Sequence, residues 1–346
     1  IMPGPNMHYF TDLDFHTSER PIVAFFPTTG DPALVVPGFE SFKASNAAGA
    51  LPWRIFSWSD EEGVDGAFAA CCAALQLSGK RVGVEELGWR FKEHSLLQAH
   101  AAGVAVVPAD PLITSMRQVK DALEIERMKA AVHIAEGALA ATLPKIKIGM
   151  TEREVAAELM VALLKGGSGP LPFSPLVQTG ATGATPHASA GDRKLAEGDL
   201  LIIDMGARVQ GYASDITRTF AVGAISDKAK QIYEVVKQAN AAGRAASKPG
   251  ATCQDVDRAA RAVIEGHDYG EYFIHRTGHG LGLEGHEPPF MVEGDTTLLE
   301  AGLTYTVEPG IYIQGVGGVR IEDDVVITAA GADSLTTFDR ALTTVG

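Results

Sequence analysis

Four acidic residues and one histidine carry the chemistry this sequence can do: Asp204, Asp215, His279, Glu308 and Glu322. Asp204 ends the apolar run Leu200-Leu201-Ile202-Ile203, which reads as a buried strand. A carboxylate there needs a compensating partner, and a metal cation is one. Strand alternation puts Asp215, Thr217 and Thr219 on one face of 215–220. It likewise groups Thr304, Thr306 and Glu308 in 303–308, and Arg320, Glu322 and Asp324 in 319–324. Each of these strands has an acidic face and an apolar one, and the acidic face meets either solvent or a ligand. His279 sits in a glycine-rich stretch with His275 and His286, three histidines in twelve residues. That density is unusual for core filling, and glycine lets backbone approach a ligand closely. The set fits a two-metal hydrolase site. The same stretch contains Gly280-x-Gly282-x-x-Gly285, a nominal dinucleotide fingerprint. No clear strand precedes it, and Pro288-Pro289 forbids the helix that should follow.

Something must bring these residues together, and an internal duplication supplies it. Lys147-Ile148-Gly149-Met150-Thr151 precedes Val155, and Lys248-Pro249-Gly250-Ala251-Thr252 precedes Val256, at an offset of 101. Thr151 with Glu154 forms a capping box, and Thr252 can cap the matching helix. Asp204 and Glu308 then correspond at an offset of 104, and Asp215 and Glu322 at 107. Each half reads helix, helix, strand with an acid, strand with an acid. Two such halves facing each other bring four carboxylates to one cleft.

The 346 residues exceed one ordinary core, so two domains are expected. Residues 21–26, 33–36, 81–84 and 103–107 read as short strands, and 64–77 as a helix, giving an α/β domain over 1–115. A long amphipathic helix over 117–142 opens the second domain, 116–346. The net charge of −14 argues against nucleic acid or anionic membrane as a partner. Cys71, Cys72 and Cys253 suggest no disulfide framework, which fits a reducing, cytoplasmic setting. No membrane span and no signal peptide are expected. The opening Ile1-Met2-Pro3 does not look like a native start, so an upstream segment is expected.

The chain resembles the pita-bread metallopeptidases, specifically the prolidase and aminopeptidase P group. The resemblance rests on Ile203-Asp204-Met205-Gly206, Ser214-Asp215-Ile216-Thr217-Arg218-Thr219, 275–282, Val307-Glu308-Pro309-Gly310 and Gly318-Val319-Arg320-Ile321-Glu322-Asp323. Residues 9–15 resemble the family's N-terminal domain motif, with Asp12 where glycine is commoner. The resemblance implies an α+β chain. Its C-terminal pita-bread domain has duplicated ααββ halves about a pseudo-two-fold, behind a smaller α/β creatinase-like N-terminal domain that lacks its first elements. It implies two divalent metals, manganese first, with zinc, cobalt or iron as alternatives. Asp204 would ligate one metal, His279 and Glu308 the other, with Asp215 and Glu322 bridging. Glu308 would also shuttle a proton to the leaving nitrogen. His187 and His286 would stabilise developing charge. His275 and Arg320 would surround the proline side, Arg320 receiving a terminal carboxylate, and Tyr212 would line the site. Small proline-containing peptides and a homodimer are the implied partners.

Xaa-Pro dipeptidase activity is the leading reading, and removal of Xaa from longer Xaa-Pro peptides the alternative. Methionine aminopeptidase would not need residues 1–115. Creatinase-type chemistry and a non-catalytic binding protein both disagree with a complete set of five ligands.

Overall fold

The computed structural model describes residues 1–46, 51–186 and 188–346. The chain divides into two compact units, Ile1–Met116 and Arg117–Gly346.

In the first unit, strands Val23–Phe25, Ala33–Pro37 and Arg54–Trp58 form one sheet, antiparallel then parallel. A second parallel pair joins Arg81–Val84 to Ala105–Pro108. Val23, Phe25 and Val35 pack into one core with Phe68, Cys71 and Leu97, while Ala24, Leu34 and Val36 pack into another. The central strands are thus buried on both faces, which is why they read as continuous apolar runs rather than alternating ones. The helix expected over 64–77 runs Asp65–Ala74; Gln76 then takes a left-handed φ of 52°. The strand Arg54–Trp58 and the helices Pro5–Thr11 and Phe91–His100 carried no periodic signal of their own. Asp12 caps Pro5–Thr11 with φ 57° and donates its N–H to His8 O at 2.8 Å. That accounts for glycine being commoner there, since aspartate is among the few other residues that tolerate the conformation.

The second unit is built twice over. Helices Ala122–Thr142 and Glu152–Lys165 pack as one pair, and Asp227–Ala246 and Cys253–Glu265 as the other. The first half's sheet runs Thr344–Val345, Ile216–Val222, Leu200–Met205, Leu176–Thr179. The second half's runs Glu287–Met291, Gly278–Gly280, Thr304–Val307, Asp323–Thr328, Gly331–Ser334. Matching details recur. Thr151 bridges Lys194 and Thr252 bridges Leu298, each just before its helix. Each acid-bearing strand pair is joined by a hairpin, Arg208–Val209 with Tyr212–Ala213 and Gly310–Ile313 with Gly317–Arg320. The second hairpin is longer, which accounts for the offset growing from 104 at Asp204 and Glu308 to 107 at Asp215 and Glu322.

Two expected elements differ. The helix expected from 117 starts at Ala122, because Val119 pairs with Leu303 and the Lys120 N–H donates to Gly302 O at 2.8 Å. Asp121 and Glu124 then close a capping box. The strand expected over 319–324 breaks at Ile321-Glu322, between Gly317–Arg320 and Asp323–Thr328. No described helix is long and apolar enough to cross a membrane.

Candidate metal centre

Asp204, Asp215, His279, Glu308 and Glu322 converge on one cleft of about 740 Å³ in the second unit. Its lining also includes Pro172, Phe173, Leu176, His275, Arg276, His286 and Arg320. The acidic strand faces do not meet solvent: Asp204 is 8% exposed, Asp215 4%, His279 1% and Glu322 2%. Ligand-type atoms of Asp204, Asp215 and Glu322 lie within 4.8 Å of one another, and so do those of His279, Glu308 and Glu322. Glu322 belongs to both, and Asp215 also groups with His279 and His286. His279 Nε2 lies 3.4 Å from Glu308 Oε1 and 3.7 Å from Asp215 Oδ2.

The backbone makes this convergence possible through close approaches. A Cβ on Gly278 would stand 1.8 Å from Thr306 O, and one on Gly280 2.5 Å from Glu287 O. These glycines let the His279 strand lie flush between its neighbours. Thr306 Oγ1 accepts the His279 N–H at 3.1 Å. The two halves are laced along 215–219 and 320–324. The Glu322 N–H donates to Thr217 O at 3.1 Å, and the Asp215 N–H to Asp324 Oδ2 at 3.1 Å. Buried Arg218 donates to Glu322 O at 2.6 Å and to Asp323 Oδ1 at 2.8 Å. Thr217 Oγ1 donates to Glu322 Oε2 at 2.5 Å. From the helix Asp227–Ala246, Asn240 Nδ2 donates to Val307 O at 2.9 Å and Ile321 O at 3.2 Å. Those are the carbonyls immediately before Glu308 and Glu322.

The electrostatics of the cluster call for a cation. Burial, then Glu322, pushes the Asp215 carboxyl well above the usual range; burial, then Glu308, does the same to Glu322. Glu308 is raised to about 7, chiefly by burial. His279 is held well below the usual imidazole value by burial and by His286, so its ring is neutral. Its Nδ1 lies 3.1 Å from Gly280 O, which assigns the proton to Nδ1 and leaves the Nε2 lone pair facing the acids. Asp204 Oδ1 is buried without a hydrogen-bond partner among the described residues. Carboxylate oxygens with one imidazole nitrogen suit a divalent metal, and that charge would satisfy the orphaned oxygen.

Residues 126–329 match the family described as metallopeptidase family M24, and residues 1–119 match the creatinase/prolidase N-terminal domain. The chain belongs to metallopeptidase family M24. It is therefore a metal-dependent hydrolase, with a creatinase-type N-terminal domain before a pita-bread catalytic domain. Among curated relatives it is 37% identical to a putative dipeptidase, YkvY, of Bacillus subtilis, over 97% of this chain and 92% of that protein. It is 36% identical to an Xaa-Pro dipeptidase of Pyrococcus horikoshii, over 99% of this chain and 93% of the relative. The crystal structure of a dipeptidase from Pyrococcus horikoshii OT3 superposes with a TM-score of 0.93 at 36% identity, covering 99% of this chain and 94% of that one.

The other site residues of this M24 chain fall as follows. His286 stacks on His279 with ring centroids 3.7 Å apart, and its Nδ1 lies 3.2 Å from Arg276 Nη2. His275 lines the cleft with Nδ1 2.7 Å from Arg276 O and Nε2 2.9 Å from the Tyr312 hydroxyl. Arg320 is buried and donates to Asp204 Oδ2 at 2.7 Å, Thr217 Oγ1 at 3.1 Å and the Tyr312 hydroxyl at 3.0 Å. Tyr212 is absent from the cleft lining; its hydroxyl donates to Glu124 Oε1 at 2.6 Å. His187 lies outside the described residues. Sequence reasoning missed Arg276, Tyr312 and Asn240. Arg276 adjoins His275 in the glycine-rich stretch and was visible there. Asn240 sits in the middle of a long helix, where nothing in the periodicity marks it.

Proposed function

We propose that this M24 metallopeptidase hydrolyses the bond before proline in Xaa-Pro dipeptides, with two divalent cations per chain, manganese foremost. Asp204 would hold one cation and His279 with Glu308 the other, with Asp215 and Glu322 shared between them. The observation that carries this reading is the sharing of Glu322 between the Asp204–Asp215–Glu322 and His279–Glu308–Glu322 groups, with Asp215 also grouped with His279 and His286. When bound, such ions supply Lewis acidity toward the scissile carbonyl and lower the pKa of a water. Glu308, on the cleft wall beside His279, would carry a proton toward the leaving imino nitrogen. His286, on the cleft wall beside His279, donates to developing charge on the carbonyl oxygen, and His187 is assigned the same work. His275 and Arg320, held together through Tyr312, shape the proline side. Names of relatives as Xaa-Pro dipeptidases support the substrate class. A cytoplasmic homodimer, with residues 1–115 as N-terminal domain and 116–346 as catalytic domain, completes the reading.

The test is a substrate panel on manganese-loaded protein: Ala-Pro, Leu-Pro, Ala-Pro-Ala and Ala-Ala. Cleavage of the two Xaa-Pro dipeptides, with little turnover of Ala-Pro-Ala or Ala-Ala, is expected. Preference for Ala-Pro-Ala would make the enzyme an Xaa-Pro aminopeptidase, and no turnover of any Xaa-Pro peptide would overturn the reading.

A further inference from the structure

Two arginines line the cleft, and their hydrogen bonding separates their roles. A guanidinium has five N–H groups. Arg320 commits Nε to Thr217 Oγ1, Nη1 to the Tyr312 hydroxyl and to Pro186 O at 3.3 Å, and Nη2 to Asp204 Oδ2. One N–H remains, whereas bidentate capture of a carboxylate takes two parallel ones. Arg320 is 2% exposed and held from four sides, so it props the site open rather than reading a ligand.

Arg276 is arranged the other way. Its guanidinium carbon lies 4.2 Å from the Phe290 ring centroid, a contact that holds the group without using any N–H. The one hydrogen-bond contact of its guanidinium among the described residues is Nη2 with His286 Nδ1 at 3.2 Å. It is half-buried and lines the cleft. Contacts lead from it inward in two steps: His286 stacks on His279 at 3.7 Å, and His279 Nε2 lies 3.4 Å from Glu308. A cation one side chain beyond the proposed metal ligands stands within the reach of the second residue of a dipeptide. Pro172, Phe173 and Leu176 supply apolar lining suited to a pyrrolidine ring.

We infer that Arg276, stacked on Phe290, receives the free carboxylate of the dipeptide and so sets the preference for dipeptides over longer chains. This rests on the Xaa-Pro reading above and replaces Arg320 as the carboxylate receiver. The test compares Ala-Pro with Ala-Pro-amide, in which the carboxylate is neutralised, for wild type, Arg276→Gln and Arg276→Lys. Wild type is expected to favour the acid by roughly 10- to 100-fold in kcat/KM, expressed mainly in KM. The ratio should fall toward one in Arg276→Gln. Arg276→Lys should restore only part of it, since an ammonium lacks the planar fork. A ratio that survives in Arg276→Gln, even with both rates reduced, overturns the inference and leaves the substrate class standing. If wild type cleaves neither compound, the Xaa-Pro reading fails. Calorimetric binding of L-proline against L-prolinamide to manganese-loaded protein then decides this point alone: a preference for proline that Arg276→Gln abolishes supports it, and equal binding by wild type refutes it.

Discussion

The residues that matter most here are those that hold a ligand from behind. Thr217 donates to Glu322 Oε2 at 2.5 Å and accepts from Arg320 Nε at 3.1 Å, so one hydroxyl orients the acid proposed to bridge and the guanidinium beside it. Thr217→Val keeps the shape and removes both bonds. It should weaken divalent metal binding by about 10- to 100-fold while leaving the fold intact; chelator-competition titration measures this, and unchanged affinity would count against the role. The same cluster predicts a pH dependence. A carboxyl raised in the folded state stabilises the fold below its unfolded pKa and loses that contribution as pH rises through the folded value. For Glu308 the window runs from 4.5 to about 7, and Asp215 and Glu322 act in the same direction. Metal-free protein should therefore melt at a higher temperature near about pH 5 than near about pH 7.5, and divalent metal should raise Tm more at the higher pH. A metal-free Tm that climbs between those values would contradict it. The acids themselves were legible because Asp204 ends an apolar run and the others alternate on strands. Their supports were not. Thr217 meets Glu322 across 105 positions, and Arg276 finds Phe290 only once the glycine-rich stretch has folded back on itself.

Among elements, the helix Asp227–Ala246 does more than cover a sheet. Asn240 reaches from it to the carbonyls preceding Glu308 and Glu322, at the end of Thr304–Val307 and in the break between Gly317–Arg320 and Asp323–Thr328. Asn240→Leu removes the side-chain donor from two buried carbonyls, a loss of about 1–3 kcal/mol for each one left without a partner. Denaturant unfolding should show a loss of that order, together with weaker metal binding, and an unchanged midpoint would contradict the assignment. The long elements were readable from capping and periodicity: Thr151 and Glu154 cap their helix as expected. Reading failed where a tertiary contact overrides local preference. Residues 119 and 120 are helix-compatible but pair with 302–303. Residues 319–324 alternate as one strand but break at the point that turns Glu322 into the cleft.

At the scale of the molecule, duplication is the device that makes the site. Each half supplies two acids from an antiparallel strand pair and its hairpin, and the second half adds His279 through a strand thin enough, by its glycines, to insert. Burial of the assembled acids against one another is costly, so the fold carries a standing demand for cations that the net charge of −14 already hints at. Five residues are proposed to hold two divalent ions, with Glu322 between them. Calorimetric titration of metal-free protein with manganese tests it most directly. Two ions per chain are expected for wild type and about one for a folded Glu322→Ala, which should also lose Xaa-Pro hydrolysis. One ion or fewer in wild type, or two ions with turnover retained in Glu322→Ala, would contradict the account.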